Sequence, residues 1–175
     1  MSDRQNPPIS TRRGDDGTTT LLGSGRIPKS DARIVVLGDV DEASSFMGLA
    51  RAGSEGETAE LLLALQRLLY RVMGDIAMPQ AENTVGRADA EYLDAALKEW
   101  QGRTEIPQAF VVPGESTLGA LLDVARSVVR RAERSLVTAG YARGHPDALR
   151  VVNRLSDLLF VVARHADGRT PLSKG

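Results

Sequence analysis

The stretch LGALLDVARSVVRRAERSLV, residues 118–137, places apolar side chains at Leu118, Leu121, Leu122, Ala125, Val129, Ala132 and Leu136. Steps of three and four line one side of a 3.6-residue helix, so the segment reads as an amphipathic α-helix with that stripe turned to a core. At roughly 100° per residue, Arg126, Arg130 and Glu133 fall at the border of the stripe, while Ser127 and Arg134 point away. Arg126 and Arg130 stand four apart, so two guanidinium forks converge on one spot, an arrangement suited to phosphate oxygens or to a partner carboxylate. The same spacing serves equally as a solvated face carrying Asp123–Arg126 and Arg130–Glu133 pairs, and this helix alone leaves both readings open.

The remaining chain supplies partners for that helix. With 175 residues, 42% of them hydrophobic, it is long enough for one domain with a substantial core, and one domain is expected. Four further helices are expected, over 39–52, 57–78, 88–100 and 146–167, each from apolar recurrence at helical spacing and bounded by Gly53, Pro79, Gly102 and Gly168. No clear strand is expected, and five helices make an all-α bundle. Residues 1–10 are polar with two prolines and read as a disordered tail, residues 11–168 as the single domain, and 169–175 as a flexible tail. EIPQAFVVP, residues 105–113, is held extended by its prolines and brings Phe110 to the start of the arginine helix. On the last helix Ala148, Val151, Val152, Leu155, Leu159 and Val162 form the core side, and Asn153, Asp157, Phe160 and Arg164 stack on the other. A phenylalanine there marks a partner surface or is one scattered exposed ring.

Residues 11–29, TRRGDDGTTTLLGSGRIPK, are of another kind: Gly14, Gly17, Gly23 and Gly25 are interleaved with threonines, aspartates and the cations Arg12, Arg13, Arg26 and Lys29. Glycines let backbone N–H groups converge on an anion, hydroxyls add donors and Lys29 adds a point charge. The spacing is neither that of a P-loop nor of a dinucleotide fingerprint, and plain hairpin turns have the same composition.

Several classes of chemistry are excluded. A net charge of −1 from 22 basic and 23 acidic residues gives no bulk field for nucleic acid or an anionic membrane, and 4% aromatics are too few for base-stacking platforms. The absence of cysteine removes disulfides, thiolate ligands and a thiol nucleophile. Neither His145 nor His165 has a glutamate three residues before it, which excludes a ferritin-type di-iron site, and no zinc spacing or Gly-x-Ser-x-Gly elbow occurs. MSDRQNPPIS lacks the apolar core of a signal peptide and no run approaches a membrane span, so a cytoplasmic protein is expected. Phosphate chemistry remains, with Mg2+ as companion of a polyphosphate.

Four segments together resemble the PduO-type ATP:cob(I)alamin adenosyltransferases: TRRGDDGTTTLLGSGRIPK at 11–29, GDVDEASSFMGLAR at 38–51, FVVPG at 110–114 followed by ARSVVRRAER at 125–134, and NRLSDLLF at 153–160. The resemblance spans nearly the whole of 11–167. It implies a five-helix bundle of the ferritin-like, cobalamin adenosyltransferase type preceded by a glycine-rich nucleotide loop. It also implies a homotrimer with ATP–Mg2+ and a corrinoid bound between neighbouring subunits, a reductase that supplies electrons, and an adenosylcobalamin-dependent client enzyme. The implied ATP site is Thr11, Gly14, Asp15, Gly17, Lys29, Arg130, Arg131, Glu133 and Asn153. The implied corrinoid and interface set is Asp41, Ser44, Phe110, Arg126, Asp157 and Phe160, with Asp41 and Arg126 as an intersubunit ion pair. Phe110 would sit beneath the corrin and displace the lower axial ligand of cobalt. Catalysis would rest on Arg130, Phe110 and Lys29, and no protein side chain would ligate a metal. The chain departs from the family pattern at Ala43 and Ser44, where leucine and asparagine are usual, and at Glu115, where a second glycine follows Pro-Gly. The alternative class is a non-catalytic relative that binds nucleotide or carries cobalamin to a client enzyme.

Overall fold

A computed structural model describes residues 10–22, 25–168 and 171–173. The expected tails at 1–9, 169–170 and 174–175, and Gly23 with Ser24 in the glycine segment, lie outside the described residues. The chain begins with a small antiparallel hairpin, β1 (Thr18–Thr20) against β2 (Arg26–Pro28), in which Thr19 faces Ile27. This corrects the expectation of no strand: three residues per strand are too few for an alternation to register. Helices α1 (Ala32–Ala52), α2 (Gly56–Ala77), α3 (Arg87–Gly102) and α4 (Thr117–Thr138) follow, then one turn, α5 (Tyr141–Gly144), and α6 (Pro146–Asp167).

Four of the five long helices lie within two residues of their expected bounds, whereas α1 begins at Ala32 instead of residue 39. Gly38 suggested a boundary, but it is exposed in mid-helix, where a missing side chain costs only propensity. The true start is capped by Asp31, which accepts from the Arg33 N–H at 3.0 Å and also grips the Arg33 guanidinium through both oxygens at 2.9 Å. The Arg33 side chain, then its backbone N–H, hold the Asp31 carboxyl down at about 2.

Packing radiates from α4, which lies against both α1 and α6; α2 packs on α1 and also touches α6, and α3 packs on α6 and is tied to α2 by the Arg71–Asp89 pair. The core runs through Val36, Val40 and Met47 of α1, Leu62, Leu65 and Leu69 of α2, Leu122, Val129 and Leu136 of α4, and Leu155, Leu158 and Leu159 of α6. On α3, the one tryptophan, Trp100, is buried beneath the Arg103 guanidinium, 4.0 Å from its centroid, and meets the His165 ring of α6 edge-on at 5.1 Å.

Because α6 is covered on one flank by α4 and on another by α3, its buried arc is wider than its apolar stripe. Arg164, expected on the outer face with Asn153, Asp157 and Phe160, is instead only 1% exposed. Its Nη2 pairs with Asp123 of α4, itself buried inside the arginine helix, and lies 3.1 Å from Asp167 Oδ2. Asp167 turns back onto the start of α4, where its Oδ1 accepts from the Ser116 N–H (3.1 Å) and Oγ (2.7 Å). That carboxylate fills the space a side chain at Gly119 would need, since a Cβ there would stand 1.9 Å from Oδ1. Arg164→Met should therefore strip Asp167 of its ion-pair partner and leave Asp123 with Arg126 alone, at a cost of about 3–5 kcal/mol, measurable as a fall in unfolding free energy in urea.

Candidate functional site

The first group of expected site residues is gathered by the hairpin. Residues 11–17 turn through Arg12, with φ of 56°, and Gly17, with φ of 79°, and the Lys29 N–H donates to the Gly17 carbonyl at 2.9 Å. Lys29 Nζ lies over Gly14, 3.1 Å from where a Cβ would be, so a side chain at 14 would have to displace the ammonium group. Asp16 accepts from the Thr18 N–H (2.9 Å) and Oγ1 (2.8 Å) and pairs with Arg26 at 2.8 Å. Those Thr18 hydrogen bonds, with Arg26 beside them, lower its carboxyl below the usual range. Thr11, Asp15 and Lys29 are all solvent-facing. The glycine segment is thus a pinned hairpin with one lysine held across its turn, and among the described residues no hydrogen bond or ion pair joins 11–17 or Lys29 to α4 or α6.

The second group lies along the α4–α6 seam. Asn153 Nδ2 donates to Glu133 Oε1 at 2.8 Å, fixing both one turn from Arg130 and Asp157. Arg126, Arg130, Asp157 and Phe160 line one cavity of about 280 Å³, floored by Ser156 and Val161 and walled by Leu97, Gln101 and Ile106. Arg126 Nε reaches Asp123 Oδ1 at 3.2 Å, so the expected local pair forms, while no ion pair joins Arg130 to Glu133. The Phe160 ring is half-buried between two guanidinium groups, with Arg164 5.3 Å and Arg126 5.8 Å from its centroid. Asp157 stands at the rim. Desolvation by the surrounding packing, then the Glu133 charge, raise its carboxyl above the ordinary range, against Arg130 and Arg154.

Other expected residues are placed elsewhere. Arg131 turns to α1, where Asp39 (2.9 Å) and Glu42 hold its guanidinium, so within one chain it belongs to the α1–α4 contact and not to the cavity. Asp39 also accepts from Ser135 Oγ at 2.5 Å. Asp41 is exposed with no ion pair among the described residues, and Ser44 is half-buried, its carbonyl accepting from Gln66 Nε2 at 2.9 Å. Ala43 is core, so that departure alters packing, whereas Glu115 is exposed in the loop before α4.

Phe110 is 87% exposed, beside a wider cavity of about 630 Å³ lined by residues 106–110 and Ser173. Its loop is paired to the chain's C-terminal segment: the Ser173 N–H donates to the Phe110 carbonyl (2.8 Å) and the Val112 N–H to the Pro171 carbonyl (2.9 Å), bracketing a Val111–Leu172 bridge. Sequence reasoning missed this pairing because three residues carry no periodicity. It also missed Asp123, Arg164 and Asp167, whose charges argue for solvent when each helix is read alone.

Five long helices set two arginines, an aspartate and a ring around one cavity, a turn from an acid–amide pair, with a separate glycine hairpin. A family model for cobalamin adenosyltransferase matches residues 9–166, and the chain belongs to that family. It is 39% identical over 172 residues to the corrinoid adenosyltransferase of Mycobacterium bovis, covering 91% of this chain and 88% of that one. It is 37% identical over 163 residues to that of Citrobacter freundii, covering 89% and 93%. Among solved structures it is similar to an alanine-for-phenylalanine variant of the PduO-type ATP:corrinoid adenosyltransferase from Lactobacillus reuteri, complexed with cobalamin and ATP. There the TM-score is 0.88 and the identity 27%, over 96% of this chain and 100% of that one. Among the described residues no helix is long and apolar enough to cross a membrane.

The Asp157 environment gives a titration test. Its folded carboxyl titrates above its unfolded value, so ionising it costs stability, a cost absent below the usual 3.8 and complete above the raised value. Glu133→Gln should bring its titration down and Arg130→Ala should push it further up, both read from the Asp157 carboxyl carbon by NMR.

Proposed function

We propose that this chain transfers the 5′-deoxyadenosyl group of ATP to the cobalt of cob(I)alamin or cob(I)yrinic acid a,c-diamide, as a homotrimer in the cytoplasm. The observation that carries the reading is the shared α4–α6 face, where Arg126, Arg130, Asp157 and Phe160 line one cavity one turn from the Glu133–Asn153 bond. In this reaction the cobalt(I) lone pair attacks C5′ of ATP, the C5′–O bond breaks, and its electrons leave with triphosphate, so cobalt ends formally as Co(III). Covalent help from the protein is not required; it positions C5′ in line with cobalt and stabilises the leaving charge.

Lys29 and Arg130 supply that charge, Lys29 as a point and Arg130 as a fork, while Glu133 and Asn153, already oriented by their mutual bond, take the nucleoside. Thr11, Gly14, Asp15 and Gly17 shape the hairpin around the phosphates. Mg2+ would be carried on the phosphate oxygens with few protein ligands. Arg131, held by Asp39 and Glu42, acts on the nucleotide by fixing α1 against α4.

The separation of the hairpin from α4 and α6 supports a site completed between copies, the hairpin of one facing the α4–α6 seam of the next. Asp41, exposed and without an ion pair in its own chain, would then meet the Arg126 of a neighbouring copy. The exposed Phe110 ring would gain cover from a corrin and hold cobalt without its lower axial ligand, which eases the reduction that an electron-donating partner protein performs. Adenosylcobalamin would pass on to a client enzyme.

Anaerobic loss of the cob(I)alamin absorbance on adding ATP tests the reaction, and no ATP-dependent loss would leave a nucleotide or corrinoid carrier instead. Arg130→Lys should lower turnover by about 10² to 10³, since an ammonium cannot reproduce the fork. The wild type should sediment at three times the chain mass, and a monomer would remove the shared-site arrangement.

A further inference from the structure

We propose that Asp167 and Arg164 form a positioning pair that sets the Phe110 loop against the Arg126–Phe160 cavity, a role that rests on the adenosyl-transfer reading above. The loop is held at two points, at Ser116 by the end of α6 and at Phe110 and Val112 by residues 171–173. At one flank Asp167 Oδ1 holds the N–H and hydroxyl of Ser116, the residue that caps α4 by accepting from the Gly119 N–H at 2.9 Å. At the other, residues 171–173, which continue the chain shortly beyond Asp167, are hydrogen-bonded to Phe110 and Val112.

The cavity side is tied to the same point. Asp123 offers Oδ2 to the buried Arg164 and Oδ1 to Arg126, and both guanidinium groups stand over the Phe160 ring. Among the described residues Arg164 therefore touches the cavity's ring directly, and reaches the loop's anchor at Ser116 through Asp167 and the cavity's Arg126 through Asp123.

Stability alone does not account for this arrangement. A buried ion pair is commonly matched or bettered by apolar side chains of equal volume. Here Arg164 Nε and Nη1 are buried without a hydrogen-bond partner among the described residues, and Asp167 Oδ2 has only its ion pair with Arg164, so part of the desolvation cost is left standing. What the network does supply is a fixed geometry: the fork sets two carboxylates in place at once, and Gly119 leaves α4 open where Asp167 must enter.

The test compares Asp167→Asn, Arg164→Lys and Ser116→Ala with wild type in the full chain. Ser116→Ala removes a single hydroxyl and carries the test if the other two fail to fold. ATP affinity should be unchanged. KM for cobalamin should rise, and turnover started from cob(II)alamin with a reductant should fall roughly 10- to 100-fold, because the ring is misplaced. Turnover from chemically prepared cob(I)alamin should fall far less. Independently of any corrinoid, hydrogen exchange at the Val112 and Ser173 amides should quicken in all three variants. Unchanged exchange at those amides, or equal losses in the two turnover assays, would overturn the positioning role. A wild type inactive in both assays but with the predicted exchange pattern would overturn the adenosyl-transfer reading and leave the loop anchor standing.

Discussion

A guanidinium sealed between two helices governs this bundle. Once Arg164 is out of water, it requires carboxylates within reach, and it finds one on α4 and one on its own last turn. Each then determines something else. Asp123, shared with Arg126, draws a border arginine inward; Asp167, lodged at the start of α4, stands among N–H groups that no helical carbonyl satisfies and against the positive end of the helix dipole. A slide of α4 along α6 by one turn would break all of these contacts together. Apolar packing in the same seam would tolerate a smaller shift at a lower cost, so the charges set register where the core sets adhesion.

The bundle was legible in the sequence because four helices repeat apolar residues over about four to five turns, long enough for the period to outvote local exceptions. Where one local feature dominated, reading failed. The exposed Gly38 looked like an end of helix, though Asp31 had already supplied the start. The hairpin was too short to have a period. The sequence puts Arg164 on an outer face and offers Asp123 a solvated pair as one of two readings, since an unpaired charge belongs in water, and only the meeting of two helices makes each the other's solvent. For the site, helical periodicity showed which residues border the core, and resemblance to a family picked out which of them act. Geometry then divided that set: Arg130, Asp157 and Phe160 share a cavity, whereas Arg131 is spent on α1.

The two halves of the proposed nucleotide site differ in how they are held. Glu133 and Asn153 are fixed by the deepest contact in the molecule, the α4–α6 seam, and Lys29 by a short hairpin whose residues bond chiefly to one another. A chain with a net charge of −1 gathers no distant phosphate by its overall field, so its cations must be brought to the ligand one at a time by such local devices.

Trp100 gives the α3–α6 seam a built-in optical signal. It is the chain's only indole, it is buried, and its ring meets the arginine that follows its own helix and a histidine from α6. Its emission therefore reports the seating of α3 on its neighbours. It lies on the flank of α6 that carries His165, next to the turn that bears Arg164, so a loosening of that buried charge would register as a red-shifted, quenched fluorescence before the bundle as a whole came apart.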